Sequence, residues 1–391
     1  MKKRTRLLEA GRRPEWTQGL VNPPVARAST CLFPDFETFL ARARNPDGGL
    51  YYGRRGTPTH WALLEALCAL EGGENGWLFP SGLAAITGTL LALLERGDHA
   101  LITDSVYGPT RTLAMKLLPR YGVDVTFYDP LIGSGIAELM RPNTRVVMVE
   151  SPGSLTFEVQ DIPAIAAAAH ERGAIVVADN TWATGLYCPV LALGADVSVL
   201  AATKYVVGHS DVMLGAAIAR GDLARRLKAD FHLMGWTVGA DDAALALRGL
   251  RTLEVRLARH DEAAREIARW LAGHPEVARV LHPAMSSCPG HAIFTRDFTG
   301  ASGLFAIVLK RGRFADLAAL VNALTLFGLG YSWGGFESLV LPADPAPLRS
   351  ATRWQAPGPL VRLHIGLEDP ADLKADLEQA LARYVAALDA G

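Results

Sequence analysis

The sequence is poor in cysteine. Only Cys31, Cys68, Cys188 and Cys288 occur among 391 residues, and none are at CxxC spacing. That argues against a disulfide framework and a finger-type zinc site. His209, His282 and His291 also lack ligand spacing, so no metal is expected. Neither sign of charge is in excess, with 39 Lys+Arg against 40 Asp+Glu. A nucleic-acid binder would carry a basic footprint, and this chain carries none. No apolar run approaches the ~20 residues of a membrane-spanning helix. The basic start Met1-Lys2-Lys3-Arg4 is not followed by a secretory h-region, so a cytoplasmic protein is expected. Internal repeats and low-complexity tracts are missing. Gly133-Ser134-Gly135 is no dinucleotide fingerprint, because no strand and helix frame it.

What is present is a long, half-apolar chain, enough for a large core and two domains. Two short apolar runs organise it. Ala174-Ile175-Val176-Val177-Ala178 ends in Asp179-Asn180, and Ser198-Val199-Leu200-Ala201-Ala202 ends in Thr203-Lys204-Tyr205. Each reads as a buried strand. A buried lysine is costly unless it is neutral or covalently used. An aldehyde cofactor supplies such a use, and pyridoxal phosphate (PLP) also needs an acid beside its ring nitrogen. The plainer alternative is a surface lysine in a strand-to-loop turn and a helix-capping aspartate.

Further apolar runs at Trp77–Phe79, Ala100–Thr103, Val123–Tyr128 and Arg145–Glu150 alternate with helical patterns. Alternation of this kind implies right-handed βαβ units and a mainly parallel sheet. One helix is capped by Thr59 and ended by Gly72-Gly73. Another follows Pro80-Ser81-Gly82-Leu83 and closes near Gly97. In such sheets the site lies beyond the strands' carboxyl ends. Ser81, Tyr107, Ser151, Asp179, Thr203 and Lys204 all fall there, and this convergence outweighs any one of them. Residues 1 to about 50 are proline-rich and weakly periodic, an arm rather than a domain. After about Leu250 the texture becomes that of a smaller α+β unit. It has a long helix at Leu253–Leu271, strands at Val277–Leu281, Gly303–Leu309 and Leu360–Ile365, and helices at Asp316–Leu324 and Asp372–Leu388. Arg362, inside one of these strands, needs a buried partner or a substrate carboxylate.

Seven motifs stand in order: Tyr52-Gly53-Arg54-Arg55-Gly56-Thr57, Glu150-Ser151-Pro152-Gly153-Ser154, Asp179-Asn180-Thr181-Trp182-Ala183, Ala201-Ala202-Thr203-Lys204-Tyr205, Gly208-His209-Ser210-Asp211, Tyr331-Ser332-Trp333-Gly334-Gly335 and Arg362-Leu363-His364-Ile365-Gly366-Leu367-Glu368. With these, the chain resembles the Cys/Met-metabolism family of PLP enzymes, from about Thr17 to the C-terminal helix. Within that family it is most similar to the members that cleave a Cβ–S bond. The resemblance implies an α/β protein of PLP fold type I. Its parts would be an arm (1–55), a large PLP domain with a mainly parallel seven-stranded sheet (56–250) and a small α+β domain (251–391).

The resemblance also implies roles. Lys204 would be the Schiff-base lysine, Asp179 the partner of the pyridine nitrogen, and Tyr107 the ring-stacking residue, these three forming the catalytic set. Gly82, Leu83 and Thr203 would hold the phosphate, with Tyr52 and Arg54 reaching in from a neighbouring subunit. A dimer would then be the minimum active unit and a tetramer the expected one. Arg362, Ser332, Trp333 and Arg55 would bind the substrate, and Asn180 would support the cofactor from behind. The implied reaction is β-elimination from L-cystathionine to homocysteine, pyruvate and ammonia, a step of methionine biosynthesis. Desulfhydration of cysteine or cystine, γ-chemistry on the same scaffold, and a regulatory PLP-binding protein are the alternatives. Some β-acting members have an acid a few residues after the stacking tyrosine. Here that region reads Arg111-Thr112-Leu113, which leaves the preferred leaving group open.

Overall fold

The structure is a computed structural model that describes residues 1–390. Seven strands form its main sheet: β1 (Asn75–Phe79), β2 (His99–Thr103), β3 (Asp124–Tyr128), β4 (Thr144–Glu150), β5 (Ile175–Asp179), β6 (Val197–Leu200) and β7 (Gly215–Ala219). Their order is β1-β7-β6-β5-β4-β2-β3. The pairs β3–β2, β2–β4, β4–β5 and β5–β6 are parallel. β7 alone runs the other way, between β6 and β1. Every residue of β2, β6 and β7 is buried, as expected for a sheet covered by helices on both faces. Leu63, Leu67 and Leu70 of helix Pro58–Glu71 pack on one face, and Ile86, Leu90 and Phe231 on the other.

Apolar periodicity does not reveal β7. Gly215-Ala216-Ala217-Ile218-Ala219 is almost all small residues, which have little β-propensity. Close packing requires them. A Cβ on Gly215 would come within 2.2 Å of the Ser81 carbonyl oxygen.

Two helix ends differ from expectation. Thr57, not Thr59, caps helix Pro58–Glu71. Its N–H donates to His60 Nδ1 (3.1 Å), and Pro58 takes the first helical position that suits proline. Thr59 instead anchors the arm, donating to the Pro24 carbonyl and accepting from Ala26 N–H, both at 2.8 Å. Helix Gly82–Leu93 stops at Leu94, short of Gly97.

A second sheet follows helix Leu253–Ala272. It is built from β8 (Val277–Leu281), β9 (Leu304–Leu309), β10 (Gly328–Leu329), β11 (Leu339–Ala343) and β12 (Leu360–His364), in the order β10-β11-β12-β9-β8. Helix Pro370–Ala390 packs against its core through Leu373, Leu377 and Leu381. The expected helix at Asp316–Leu324 is a 3₁₀ turn, Phe314–Asp316, followed by the short helix Leu317–Val321.

The start of the arm packs on its own chain. Leu7 is buried, and Arg251 donates to the carbonyls of Leu7 and Leu8. Beyond it, Leu20, Val21, Leu32, Phe36, Leu50 and Tyr52 are exposed. No helix among the described residues is long and apolar enough to cross a membrane.

Candidate active site

A cavity of about 490 Å³ opens where the carboxyl ends of the main sheet face the second sheet. Its volume is in the usual range for a site that takes a small molecule. Ser81, Gly82 and Leu83 follow β1, Tyr107 follows β2, Glu150 ends β4, Asp179 ends β5, and Thr203 and Lys204 follow β6. Ser332, Trp333 and Arg362 enter from the other side.

Lys204 Nζ donates to Ser332 Oγ and lies 5.5 Å from the centre of the Trp333 ring. Burial lowers its pKa to about 8, Arg362 adds to the fall, and Asp179 opposes it. Burial raises the Asp179 carboxyl, while hydrogen bonds from Thr181 and the charge of Lys204 pull it back down. The Thr181 N–H donates to Asp179 Oδ1 (3.0 Å), as does its hydroxyl, an Asx-type turn that fixes the carboxylate. Thr181 Oγ1 also accepts from Ala201 N–H (2.9 Å), tying β5 to the Lys204 turn.

Ser81 caps helix Gly82–Leu93, its Oγ accepting from Ala84 N–H (3.1 Å). The amides of Gly82 and Leu83, at the first two helical positions, have no intrahelical acceptor and are suited to an anion. Glycine is required at 82, since a Cβ there would meet the Ala201 Cβ at 2.4 Å. The Thr203 hydroxyl lines the cavity but bonds backbone. It donates to the Leu214 carbonyl (3.1 Å) and accepts from Leu214 N–H (2.8 Å).

Arg362, in the middle of β12, donates through Nη2 to the Ser332 carbonyl (3.1 Å). Its other guanidinium N–H groups remain for a carboxylate. Burial lowers its pKa to about 10, so it stays charged at neutral pH. Tyr107 is half-exposed at the cavity wall, and its backbone N–H donates to Glu150 Oε2 (2.7 Å). Burial, and then the neighbouring Asp179, push the Glu150 carboxyl well up. Glu150 is opposite Asp179 in the β4–β5 register.

Four expected residues lie elsewhere in the chain. Tyr52 is exposed, Arg54 donates to the His232 carbonyl (2.8 Å), and Arg55 donates to Asp47 (2.8 Å). Asn180 turns away from the cavity, donating to Glu71 Oε2 (2.8 Å) and the Cys188 carbonyl (2.9 Å). Arg111 is buried against Asp104 (2.9 Å), and Thr112 is exposed on the same helix, Gly108–Lys116. Glu150 and Thr181 also line the cavity, although their motifs alone assign them no role. The Asp-x-Thr spacing was a usable signal for Thr181. For Glu150 the signal was a strand ending in a carboxylate. Among the described residues no cluster of His, Cys, Asp or Glu could hold a metal ion.

This donor set fits one kind of group. An amine of lowered pKa, a buried carboxylate across the cavity and free helix amides suit an aromatic aldehyde with a ring nitrogen and a phosphate. Residues 4–382 match the model of the Cys/Met metabolism PLP-dependent enzymes, and the chain belongs to that family. Its cofactor is pyridoxal 5'-phosphate. The chain is 47% identical to cystathionine beta-lyase MetC of Escherichia coli (strain K12), over 97% of this chain and 98% of that one. It is 41% identical to an L-alanine/L-glutamate racemase of Wolbachia pipientis wMel, over 98% of each. The crystal structure of metB from Corynebacterium glutamicum superposes with a TM-score of 0.89 at 31% identity, covering 98% of both chains.

Proposed function

We propose that the protein is a PLP-dependent carbon–sulfur lyase. It takes L-cystathionine and water to homocysteine, pyruvate and ammonia. The observation that carries this reading is the meeting of Lys204, Asp179 and Arg362 in one cavity, in a chain 47% identical to a cystathionine β-lyase.

When bound, the cofactor supplies an aldehyde for Lys204 and a ring that accepts the electron pair left at Cα. Asp179, fixed in place by Thr181, keeps the ring nitrogen protonated. The amides of Gly82 and Leu83 receive the phosphate, and Tyr107 flanks the ring. Tyr52 and Arg54 complete the phosphate site from a neighbouring subunit, which makes the dimer the smallest working unit and a tetramer the expected assembly. The exposed apolar residues of the arm support that assembly. Arg362 grips the α-carboxylate, with Ser332 and Trp333 forming the wall behind it. Arg55 joins the substrate site across the same interface. Lys204, a base near neutrality, removes the Cα proton. Lys204 or Tyr107 returns a proton to the departing thiolate. We also propose that the chain divides into an arm (1–55), a cofactor domain (56–250) and a smaller domain (251–391), and that it works in the cytoplasm.

The test is product analysis with L-cystathionine. Pyruvate with homocysteine is expected. 2-Oxobutyrate with cysteine would replace this reading by γ-cleavage, a faster reaction with cysteine or cystine would make it a desulfhydrase, and only D-alanine or D-glutamate from the L-forms would make it a racemase. Lys204→Ala is expected to lose the visible absorbance of the bound cofactor and essentially all turnover, and a variant that keeps both would remove Lys204 from the mechanism.

A further inference from the structure

The loop from Tyr331 to Glu337 is where the second sheet touches Lys204, and its backbone is held in an unusual shape. Ser332 has φ +87°, a region that residues with a side chain rarely occupy. Gly334 has the same φ, and a Cβ there would be 3.0 Å from Lys204 Cα. The loop therefore crosses directly over the backbone of Lys204. Strain of this kind persists only where the surroundings over-determine it.

Two side chains of β12 provide the restraint. Arg362 and His364 are two residues apart and so share a face of the strand. Arg362 holds the Ser332 carbonyl (3.1 Å). The Gly334 N–H donates to His364 Nε2 (3.0 Å), and His364 Nδ1 donates to the Glu337 carbonyl (3.0 Å). Accepting at Nε2 and donating at Nδ1 requires the neutral Nδ1–H tautomer. The surroundings favour it, since the ring is buried and the nearby His260, Arg362 and Lys204 all oppose a positive charge. The ring packs 6.1 Å from Tyr205, which packs 5.4 Å from Trp333. His364 does not line the cavity.

We propose that His364 is a positioning residue: its two ring nitrogens pin the loop in the conformation that holds Ser332 and Trp333 against Lys204. The kinetic part of the test rests on the lyase reading above, and the exchange part does not. Three holoenzyme variants are compared by hydrogen exchange of the 331–337 segment, by the pH titration of the cofactor's visible band and by steady-state kinetics. His364→Phe keeps a ring and loses both hydrogen bonds. It is expected to lose amide protection at Gly334, to shift the titration of the visible band, and to lower kcat/KM by about ten- to a hundredfold, the usual cost of misplacing a reacting group by an ångström. His364→Gln can supply an acceptor and a donor from one amide and is expected to recover most of both losses. His364→Asn reaches only the Glu337 side. It is expected to lose protection at Gly334, and it decides the matter if the Phe variant does not accumulate. Wild-type exchange and spectra in the Phe or Asn variant would overturn the proposal. So would a Gln variant as impaired as Phe, since packing alone would then explain the residue. If the wild type catalyses no β-elimination, the proposed function fails while the exchange comparison still decides the role of His364.

Discussion

At Lys204 three influences act on one amine. Burial and Arg362 favour the neutral form, while Asp179 favours the charged one, and the balance puts the pKa near 8. For the base role proposed above, the acting form is the deprotonated one. The kcat is therefore expected to rise with pH, to reach half its maximum near 8 and to level off above it, and a flat profile from pH 6 to 9 would assign the base to another group. Arg362 makes a different prediction. It is argued to act on the substrate carboxylate, and a charged hydrogen bond of this type is worth about 1.5–3 kcal/mol. Arg362→Ala should thus raise KM by about ten- to a hundredfold. A fall in kcat at unchanged KM would place the carboxylate elsewhere.

Among the elements, the segment Arg349–Thr352 is held against the large sheet by charge. Asp104, just past β2, accepts from Arg111 Nη1 (2.9 Å), from the N–H groups of Ser350 (3.0 Å), Ala351 (3.0 Å) and Thr352 (2.8 Å), and from the Thr352 hydroxyl (2.9 Å). Arg349 makes a second grip on Glu158 (2.9 Å). Removing one member of a buried pair strands the other, so Asp104→Ala should cost about 3 kcal/mol. Breaking the exposed Arg141–Asp124 contact should change stability by less than about 1 kcal/mol. Urea midpoints of the two variants check this, and equal midpoints would contradict it. Burial raises the Asp104 carboxyl, but the Ser350 and Thr352 bonds and Arg111 outweigh it and hold its pKa below the ordinary 3.8. Its contribution is therefore complete above that value and is lost as pH falls below it.

The same scale explains what could be read from the residues alone. β2, β4, β5 and β6 are rich in Val, Ile and Leu, and each stops at a polar or small residue, so Tyr107, Asp179 and Lys204 could be placed at strand ends. β7 was illegible because its alanines and glycine are chosen for close approach, which leaves no apolar pattern. Glu150 ends β4 as Asp179 ends β5, yet only the register of the two strands makes them neighbours. His364 reads as one more apolar-strand residue until the loop folded over it is seen.

For the whole molecule, one chain brings Gly82, Leu83, Tyr107, Asp179, Thr203, Lys204, Ser332, Trp333 and Arg362 together but leaves Tyr52, Arg54 and Arg55 outside the cavity. If Arg54 serves the neighbouring subunit, two inactive variants should rescue each other. Mixing unfolded Lys204→Ala and Arg54→Ala chains and refolding them should restore about a quarter of wild-type turnover, because half the random dimers would carry one complete site. No recovery would mean that Arg54 acts within its own chain or not at all.

The reversed strand β7 has a consequence for how the chain matures. It is made more than a hundred residues after β1, yet β1 joins the sheet only through it. A nascent chain that has emerged as far as Tyr205 holds β2 to β6 beside a bare seam, and the turn carrying Lys204 lacks the two hydrogen bonds between Thr203 and Leu214. Such a late, long-range insertion is slow and leaves sticky edges open to wrong partners. Loading of the vitamin-derived group should therefore begin only after the ribosome has delivered the stretch beyond Ala219.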